Sequence, residues 1–282
     1  MQIMVTGGVG FVGTNLVKRL LREGHNVFSI DNYLTGKKEN KQEGCTYIDA
    51  DINNLGHISK LFSDIDVIFH MAALARIQPS LKNPQETIYT NVNGTLSILS
   101  LAKENNIPVI YAGSSSFHHG LYASAYAWSK HAGEQLCKLY SEIHGLSTSI
   151  CRFYNVYGPH QLEDGEYSTV LGIFEKQYRN NEPLTVTGNG EQRRDFTYID
   201  DIVDGLYRCM GKEFKAEIFE LGRGINYSIN EIVDMFGAER KYIPARNGEY
   251  DKTLCDYTNA AGLLGWEPKV DLQDYINRIN KI

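Results

Sequence analysis

Three features of the chain predict an α/β fold built on a doubly wound parallel sheet of the Rossmann type. A short apolar run at the N-terminus leads into a glycine-rich turn at residues 4–13 and then into an amphipathic helix at residues 14–22. A second strand-like segment, residues 26–31, ends in a carboxylate. Further strand-like and helix-like segments then alternate as far as residue 154. Such alternation favours a parallel sheet with helices on both faces.

The composition predicts a soluble globular protein. The chain has 282 residues, of which 42% are hydrophobic, and no apolar run approaches the length of a membrane-spanning helix. The first residues lack the charged start and cleavage site of a signal peptide. A net charge of −6 without a basic stripe gives no reason to expect a nucleic acid partner. Five cysteines without a C-x-x-C pair predict reduced thiols in a cytoplasmic protein.

The glycine-rich turn predicts a binding site for the pyrophosphate of a dinucleotide. Its spacing can be read as Gly8-x-Gly10-x-x-Gly13 or as Thr6-Gly7-x-x-Gly10-x-x-Gly13. Gly7 would allow the sharp turn, Gly10 would let backbone approach the pyrophosphate, and Gly13 would let helix and strand pack closely. The N-terminus of the helix would then face the anion.

Asp31 indicates which dinucleotide is bound. It ends the second strand, about eighteen residues after the last glycine of the turn, where an acidic side chain accepts hydrogen bonds from the adenosine ribose. A carboxylate at this position also repels a 2′-phosphate, and the sequence therefore favours NAD over NADP.

Tyr126 and Lys130 are the pair that predicts chemistry. They are four residues apart in a helical segment, so both project from one face of the helix. A phenol is a poor base at neutral pH until a nearby ammonium group stabilises its phenolate, which is the role expected of Lys130. The same spacing occurs at Tyr33 and Lys37, but that pair falls in the loop on the adenosine side.

A serine run supplies the third group that this chemistry needs, a hydroxyl that holds the substrate oxygen while a proton moves. Ser114, Ser115 and Ser116 follow a predicted buried strand, and ligands bind beyond the carboxyl ends of strands in such folds. The run itself leaves the choice among the three open.

Longer motifs carry a resemblance to a known family. The Thr-Gly lead of the first turn, Asn-Val-Asn-Gly-Thr at 91–95, the Tyr-Lys pair, the stretch 188–201 and Leu-Gly-Trp-Glu-Pro at 264–268 all match it. Together they resemble the NAD-dependent sugar-nucleotide epimerases and dehydratases of the extended short-chain dehydrogenase/reductase superfamily. The UDP-hexose 4-epimerases are the most similar branch, and the resemblance runs from residue 1 to about residue 275.

The resemblance implies two domains and a set of NAD contacts. An NAD-binding domain is expected at 1–154, with a returning segment near 195–210, and a smaller mixed α/β substrate-binding domain at 155–282. Asp51 and Ile52 would bracket the adenine, and Tyr154 would line the nicotinamide. The residues that the resemblance assigns to NAD are Gly7, Gly10, Phe11, Val12, Gly13, Asp31, Asn32, Thr35, Gly36, Asp51, Ile52, Met71, Ala72, Ala73, Ala75, Tyr126, Lys130 and Tyr154.

The resemblance also implies a UDP-sugar site. Arg194 and Arg246 would pair with the diphosphate through planar guanidinium groups. Asn155 would contact the sugar diphosphate, and the segments containing Val170 and 184–186 would clasp the uracil. The residues assigned to the substrate are Arg76, Ser115, Asn155, Val170, Leu184, Val186, Arg194 and Arg246.

Three further expectations follow from the resemblance. Counting back from Gly120 aligns Ser115 with the catalytic serine of the epimerases, which makes Ser115, Tyr126 and Lys130 the catalytic residues. The helices at 91–102 and 126–140 would form a homodimer interface. No metal is expected, because His118 and His119 have no further ligands at suitable spacing.

The implied reaction is epimerisation of a UDP-sugar at C4 through a 4-keto intermediate, with Tyr126 as the base. Dehydratases and UDP-glucuronate decarboxylases keep an acidic residue one or two places after the catalytic serine or threonine, where this chain has Ser116 and Phe117. A sugar-nucleotide dehydratase or reductase stays the alternative, since the segment 116–120 is short and departs from the family pattern. Thr253, which stands where the family has a bulky residue, should leave room for an N-acetyl group at C2.

Overall fold

Strands and helices alternate through the first half of this computed structural model, which describes residues 1–246, 248 and 250–280. The strands are β1 Gln2–Thr6, β2 Asn26–Asp31, β3 Cys45–Asp49, β4 Val67–His70, β5 Val109–Ser114, β6 Thr148–Phe153, β7 Val156–Tyr157, β8 Leu184–Thr187, β9 Arg193–Asp195, β10 Thr197–Tyr198, β11 Lys215–Leu221, β12 Asn226–Ser228 and β13 Arg240–Ile243. The helices are α1 Phe11–Arg22, α2 Ile77–Lys82, α3 Pro84–Ile88, α4 Gly94–Asn105, α5 Ala125–His144, α6 Val170–Arg179, α7 Ile199–Cys209, α8 Ile229–Phe236, α9 Thr258–Leu264 and α10 Leu272–Ile279. Short 3₁₀ segments cover Lys38–Asn40, Gly56–Asp64 and Ser115–His119.

A seven-stranded parallel sheet in the order β11-β6-β5-β4-β1-β2-β3 forms the larger half. The strand order reverses between β1 and β4, the position at which such sheets bind ligands beyond the carboxyl ends of their strands. Helices cover both faces: α1 and α7 contribute to one apolar core, and α4 and α5 contribute to the other. The predicted Rossmann-type α/β fold is confirmed. Within the described residues no helix has the length and apolar character needed to cross a membrane.

The smaller half has its own apolar core, formed largely by α6, α8 and α10. The parallel pair β8–β13 and the antiparallel pair β9–β12 belong to this half. The predicted returning segment near 195–210 is too short, because β11 also returns and pairs in parallel with β6 at the edge of the large sheet. Phe219 and Leu221 of this strand are fully buried in the core that includes α7 and α9. The 155–282 segment therefore contributes more to the large sheet than the sequence predicted.

Helix α5 is fastened to the sheet by an ion-pair network. Arg152 of β6 donates two hydrogen bonds to the carboxylate of Glu134 on α5, at 2.9 and 2.6 Å, and a third to Glu220 of β11 at 2.9 Å. The side chains of Arg152 and Glu134 are only 4% and 1% exposed. A buried guanidinium held in this planar fork fixes the position of α5 relative to two strands.

We predict that Arg152→Met destabilises the protein by about 3–5 kcal/mol, because it leaves the buried carboxylate of Glu134 without the guanidinium that holds it. The measurement is the free energy of unfolding in urea. Lys176→Met is the matched control, since the Lys176–Asp164 pair is 41% and 71% exposed and its loss should cost less than about 1 kcal/mol. Equal losses for the two variants would show that the Arg152 network does not hold the fold.

Candidate active site

A cavity of about 800 Å³ opens at the carboxyl ends of the central strands and extends between the two halves of the molecule. Its walls include the glycine turn, the ends of β2 and β5, and the loop before α6. This is the size expected of a small-molecule site, and its position coincides with the reversal of strand order.

The glycine turn leaves room for an anion at the start of α1. Gly7 has φ +73°, a conformation that other residues adopt with strain, and its carbonyl accepts a hydrogen bond from Gly10 N at 3.1 Å. A Cβ added at Gly13 would lie 2.0 Å from Gly7 O, so only glycine lets the helix begin this close to the strand. The backbone N–H groups at this helix start are therefore accessible to a pyrophosphate.

Asp31 closes the adenosine end of the cavity. Its carboxylate accepts hydrogen bonds from the backbone N–H of Tyr33 at 2.8 Å and of Val9 at 3.1 Å. Burial raises the pKa of this carboxyl, and those two hydrogen bonds oppose the rise. Each carboxylate oxygen keeps a further lone pair, which a ribose hydroxyl would engage. The turn and Asp31 together fit NAD.

Most residues predicted to bind NAD line this cavity: Gly7, Gly10, Phe11, Val12, Gly13, Asp31, Asn32, Thr35, Gly36, Ile52, Met71, Ala72, Ala73, Ala75 and Tyr126. Asp51 is not part of this wall. Its side chain is exposed and accepts a hydrogen bond from the backbone N–H of Asn53 at 2.8 Å. Lys130 lies beneath the wall, inside the protein. Ala50, beside Asp51, lines the cavity instead.

Tyr154 also lies away from the cavity wall. Its side chain is 1% exposed and packs near Gly222. The neighbouring residues Phe153 and Asn155 line the cavity. Side chains of successive residues in an extended chain point to opposite faces, and the aromatic ring that reaches the cavity is therefore Phe153, one residue before the predicted Tyr154.

The phenol of Tyr126 stands at the centre of the cavity's chemistry. Ser124 caps α5 by accepting a hydrogen bond from Ala127 N at 3.1 Å, and Tyr126 thus falls in the first turn of the helix. The Tyr126 hydroxyl donates to Ser114 Oγ at the end of β5, at 3.1 Å. Burial raises the pKa of Tyr126, while the hydrogen bond to Ser114 and the charge of Arg76 oppose the rise.

Lys130 is buried one helical turn after Tyr126. Its Nζ lies 4.4 Å from the centroid of the Tyr111 ring, a cation–π contact with β5. Burial lowers the pKa of Lys130 to about 8, and the nearby carboxylate of Glu134 opposes that fall. The predicted stabilisation of a Tyr126 phenolate by Lys130 stays a prediction, since Arg76 is the cation that lowers the pKa of Tyr126 in the ligand-free protein.

The serine in contact with Tyr126 is Ser114, whereas the sequence alignment favoured Ser115. Ser115 lines the same cavity but begins the 3₁₀ segment Ser115–His119, which turns the chain away from the direction of β5. The prediction of Ser115 came from counting back from Gly120, at the end of a shortened segment. In the structure, the position at which β5 ends determines which hydroxyl meets the phenol. The serine that holds the substrate oxygen stays a prediction between these two residues.

Arg76 links the two halves of the molecule over the cavity. Its guanidinium donates to the backbone carbonyls of Tyr167 at 3.0 Å, Ser168 at 3.3 Å and Ala75 at 3.0 Å. Arg76 lines the cavity and forms no ion pair with a carboxylate among residues 1–246, 248 and 250–280. Its positive charge therefore acts on whatever occupies the cavity.

Four other residues predicted to bind substrate lie on the far wall: Asn155, Val170, Arg194 and Arg246. Asn155 has φ +25° and donates from Nδ2 to the carbonyl of Asp195 at 2.9 Å and to Thr253 Oγ1 at 3.2 Å. Thr253 is also part of the wall, and its hydroxyl accepts a second hydrogen bond from the backbone N–H of Asp195 at 2.9 Å. In the motif that contains Arg246, Asn247 and Glu249 lie outside the described residues.

Leu184 and Val186 do not line the cavity. Both are fully buried in the core of the smaller half, and their neighbours Thr185 and Thr187 face the cavity instead. The predicted segment lies beside the cavity, but the alternation of side chains along β8 turns its other face toward the cavity. The wall here is consequently polar.

Two histidines of the site region, His70 and His118, have separate protein partners. His70 is buried between the hydroxyls of Thr6 at 2.7 Å and Thr95 at 3.0 Å, and burial lowers its pKa to about 3. His118 pairs with Glu220 at 2.8 Å. In the part of the chain that the structure describes, no group of three or more His, Cys, Asp or Glu side chains is arranged to hold a metal ion.

Comparison with known proteins places the chain among sugar-nucleotide enzymes. The sequence model of the NAD dependent epimerase/dehydratase family matches residues 3–222. UDP-glucuronate 4-epimerase of Thermodesulfobacterium geofontis is 32% identical over 307 residues, which cover 98% of this chain and 94% of that protein. UDP-glucuronic acid decarboxylase 1 of Xenopus tropicalis is 29% identical over 98% of this chain and 70% of that protein.

Solved structures agree with these matches. UDP-glucose 4-epimerase of Thermotoga maritima, solved with UDP-glucose, has a TM-score of 0.93 at 29% identity and covers 100% of this chain and 98% of its own. UDP-glucuronic acid 4-epimerase of Bacillus cereus, solved with UDP-glucuronic acid and NAD, has a TM-score of 0.90 at 30% identity, with coverage of 100% and 98%. The predicted family resemblance and the NAD cofactor are confirmed.

We predict that Asp31→Asn raises the affinity for NADP relative to NAD by about tenfold, because it removes the negative charge that would face a 2′-phosphate. The measurement is a fluorescence or calorimetric titration with each dinucleotide. Asp64→Asn, at an exposed carboxylate outside the cavity wall, is the control and should leave the ratio unchanged. If Asp31→Asn left the affinity for NADP relative to NAD unchanged, the Asp31 carboxylate would not contact the cofactor.

The two candidate serines are distinguished by the pH dependence of turnover. The Ser114 hydrogen bond lowers the pKa of Tyr126, so Ser114→Ala should raise that pKa further. Phenolate would then form only at higher pH, and the acid limb of the kcat/KM profile should move upward by about one pH unit. Ser115→Ala should leave the limb in place. The opposite pattern would assign the contact to Ser115.

Proposed function

The chain belongs to the NAD-dependent epimerase/dehydratase family, and on that premise we propose that it is a UDP-sugar 4-epimerase. The observation that carries the proposal is the hydrogen bond between Tyr126 and Ser114 at the edge of a cavity that the glycine turn, Asp31, Arg194 and Arg246 also line. A phenol and a hydroxyl that both address one ligand oxygen suit reversible proton transfer at a sugar hydroxyl.

Each side chain has a distinct task in this reaction. The serine hydroxyl holds the 4-hydroxyl group of the sugar, and the Tyr126 phenolate accepts its proton. The chemistry supplied by bound NAD is reversible oxidation and reduction at C4. The phenol later returns the proton to the oxygen of the 4-keto sugar. Lys130 and Arg76 supply the positive potential that a buried phenolate requires, because a buried anion is otherwise unfavourable.

Most of the contacts that bind the substrate would be made to its nucleotide end. Arg194 and Arg246 would hold the diphosphate, and Val170 with the polar face of β8 would hold the uracil. Binding energy from these remote contacts keeps C4 near Tyr126 while the keto ring turns over to present its other face. A sugar that is held chiefly through its diphosphate is free to make this turn.

A dehydratase or reductase is the alternative, and relatives named as decarboxylases also match this chain. According to the family resemblance, dehydratases and UDP-glucuronate decarboxylases keep an acid close to the catalytic hydroxyl. The residues after Ser114 are Ser115, Ser116 and Phe117, none of which is acidic. This composition favours epimerisation, which needs no further acid beside C5.

We predict that the purified protein, with NAD and without added NADH, interconverts the C4 epimers of at least one UDP-hexose, UDP-N-acetylhexosamine or UDP-hexuronic acid. Proton NMR of a substrate panel is the measurement, and mass spectrometry checks that the mass is unchanged. Loss of water or carbon dioxide would instead identify a dehydratase or a decarboxylase.

Tyr126→Phe should lower the rate by about a thousandfold, because it removes the group that carries the proton. Tyr140→Phe provides the matched control on the same helix, since the Tyr140 hydroxyl bonds Ser100 at 2.9 Å, outside the cavity. It should retain a rate within about twofold of wild type. Full activity in Tyr126→Phe would refute the assigned base.

A further inference from the structure

Three polar side-chain atoms near the catalytic phenol are buried and have no hydrogen-bond partner among the described residues: Ser116 Oγ, His119 Nε2 and Tyr250 Oη. Buried polar groups in folded proteins almost always have a partner, and an orphaned group requires an explanation. Three such atoms in one region leave hydrogen-bonding positions that a bound ligand can fill.

The three atoms belong to one neighbourhood. Ser116 and His119 are three residues apart in the 3₁₀ segment Ser115–His119, and side chains at this spacing eclipse one another in a 3₁₀ helix. The ring of Tyr250 packs on that of His119, with centroids 4.7 Å apart. Ser116 and Tyr250 both line the cavity that contains Tyr126.

All three groups are uncharged at neutral pH. Burial, His118 and Arg194 lower the pKa of His119, and the imidazole is therefore neutral, with one nitrogen as donor and the other as acceptor. Burial raises the pKa of Tyr250 to about 12, so the phenol keeps its proton and donates. A serine hydroxyl both donates and accepts. A ligand hydroxyl, which also does both, satisfies this set better than a carboxylate, which only accepts.

The proposed function specifies which ligand hydroxyls come close. With C4 of the sugar at Tyr126, the adjacent ring carbons are C3, which carries a hydroxyl, and C5, which carries C6. The C3 hydroxyl has a direction fixed by the ring. The C6 hydroxyl is attached through a rotatable bond and can turn toward fixed protein groups.

We propose that Ser116, His119 and Tyr250 form a subsite for the C6 hydroxyl of the substrate hexose. This inference rests on the proposed function, and it adds a selectivity for hexoses over 6-deoxy sugars. Two of the three residues, Ser116 and His119, come from the segment 116–120. In this segment Phe-His-His-Gly stands at 117–120 in place of the family's usual ending. The selectivity would therefore be a property of this chain's own active-site segment.

A cycle that removes each partner in turn tests the proposal. UDP-glucose and its 6-deoxy analogue are compared in the wild type and in Tyr250→Phe, both loaded with NAD. Loss of the substrate hydroxyl, or of the Tyr250 hydroxyl, should each lower kcat/KM by about fivefold, the equivalent of one neutral hydrogen bond. In Tyr250→Phe the two substrates should differ by clearly less than in the wild type, because one of the three partners of the C6 hydroxyl is already missing.

Ser116→Ala should show the same loss of discrimination. Tyr122→Phe is the matched control, because Tyr122 lies two residues beyond Gly120 and is 88% exposed, and it should keep the full fivefold discrimination. Equal losses on both substrates in Tyr250→Phe would overturn the proposal, since the phenol would then act without the C6 hydroxyl. UDP-glucuronic acid that binds more tightly than UDP-glucose, in a Tyr250-dependent way, would also overturn it.

Calorimetric titration of the NAD-loaded protein with both nucleotide sugars separates this proposal from the proposed function. The dissociation constants should show the same difference between UDP-glucose and its 6-deoxy analogue in the wild type, and the same decrease of that difference in Tyr250→Phe. This measurement does not require turnover. Fivefold discrimination in binding without any epimerisation would support the subsite and reject the epimerase. Epimerisation with no discrimination in binding or in kcat/KM would support the epimerase and reject the subsite.

Discussion

Burial of the first turns of α5 against the end of β5 is the constraint on which the site depends. Gly133 permits this contact, because a Cβ there would lie 2.1 Å from the hydroxyl of Tyr111. Asn91 braces the same helix by donating to Ser129 Oγ at 2.9 Å. With α5 held this close, Tyr126 reaches Ser114 and Lys130 lies over the ring of Tyr111. A looser helix would separate the phenol from its hydrogen-bond partner.

The same burial sets the electrostatics. A buried phenol resists ionisation, and the site therefore needs positive charge close to Tyr126. Arg76 supplies it from the loop after β4, where its guanidinium donates to the backbone carbonyls of Tyr167, Ser168 and Ala75. Lys130 is held near α5's carboxylate, Glu134, which opposes the effect of burial on its pKa. Burial thus disfavours the phenolate form of Tyr126, and the charge of Arg76 opposes that effect.

The sequence was sufficient where a motif is local and its geometry is fixed by covalent structure. The glycine turn, Asp31 and the Tyr126–Lys130 spacing belong to single segments, and each occupies the place its pattern implies. The sequence did not determine which side chains of an extended segment face the cavity, because one residue of register decides this. Phe153 rather than Tyr154 lines the cavity, and Thr185 and Thr187 line it rather than Leu184 and Val186. The reason is that neighbouring side chains in extended segments point in opposite directions. The return of β11 to the large sheet depends on packing against β6, which no motif in the chain specifies.

The proposed mechanism requires the Tyr126 oxygen and a hydroxyl of the serine run to converge on the reacting hydroxyl of a bound sugar. A crystal structure of the protein with NAD and UDP-glucose tests it most directly. In that structure we expect the 4-oxygen of the sugar to lie within hydrogen-bond distance of the Tyr126 phenol and of a hydroxyl of the serine run. A sugar bound with C4 remote from Tyr126, or a Tyr126 side chain turned into the interior, would contradict the account.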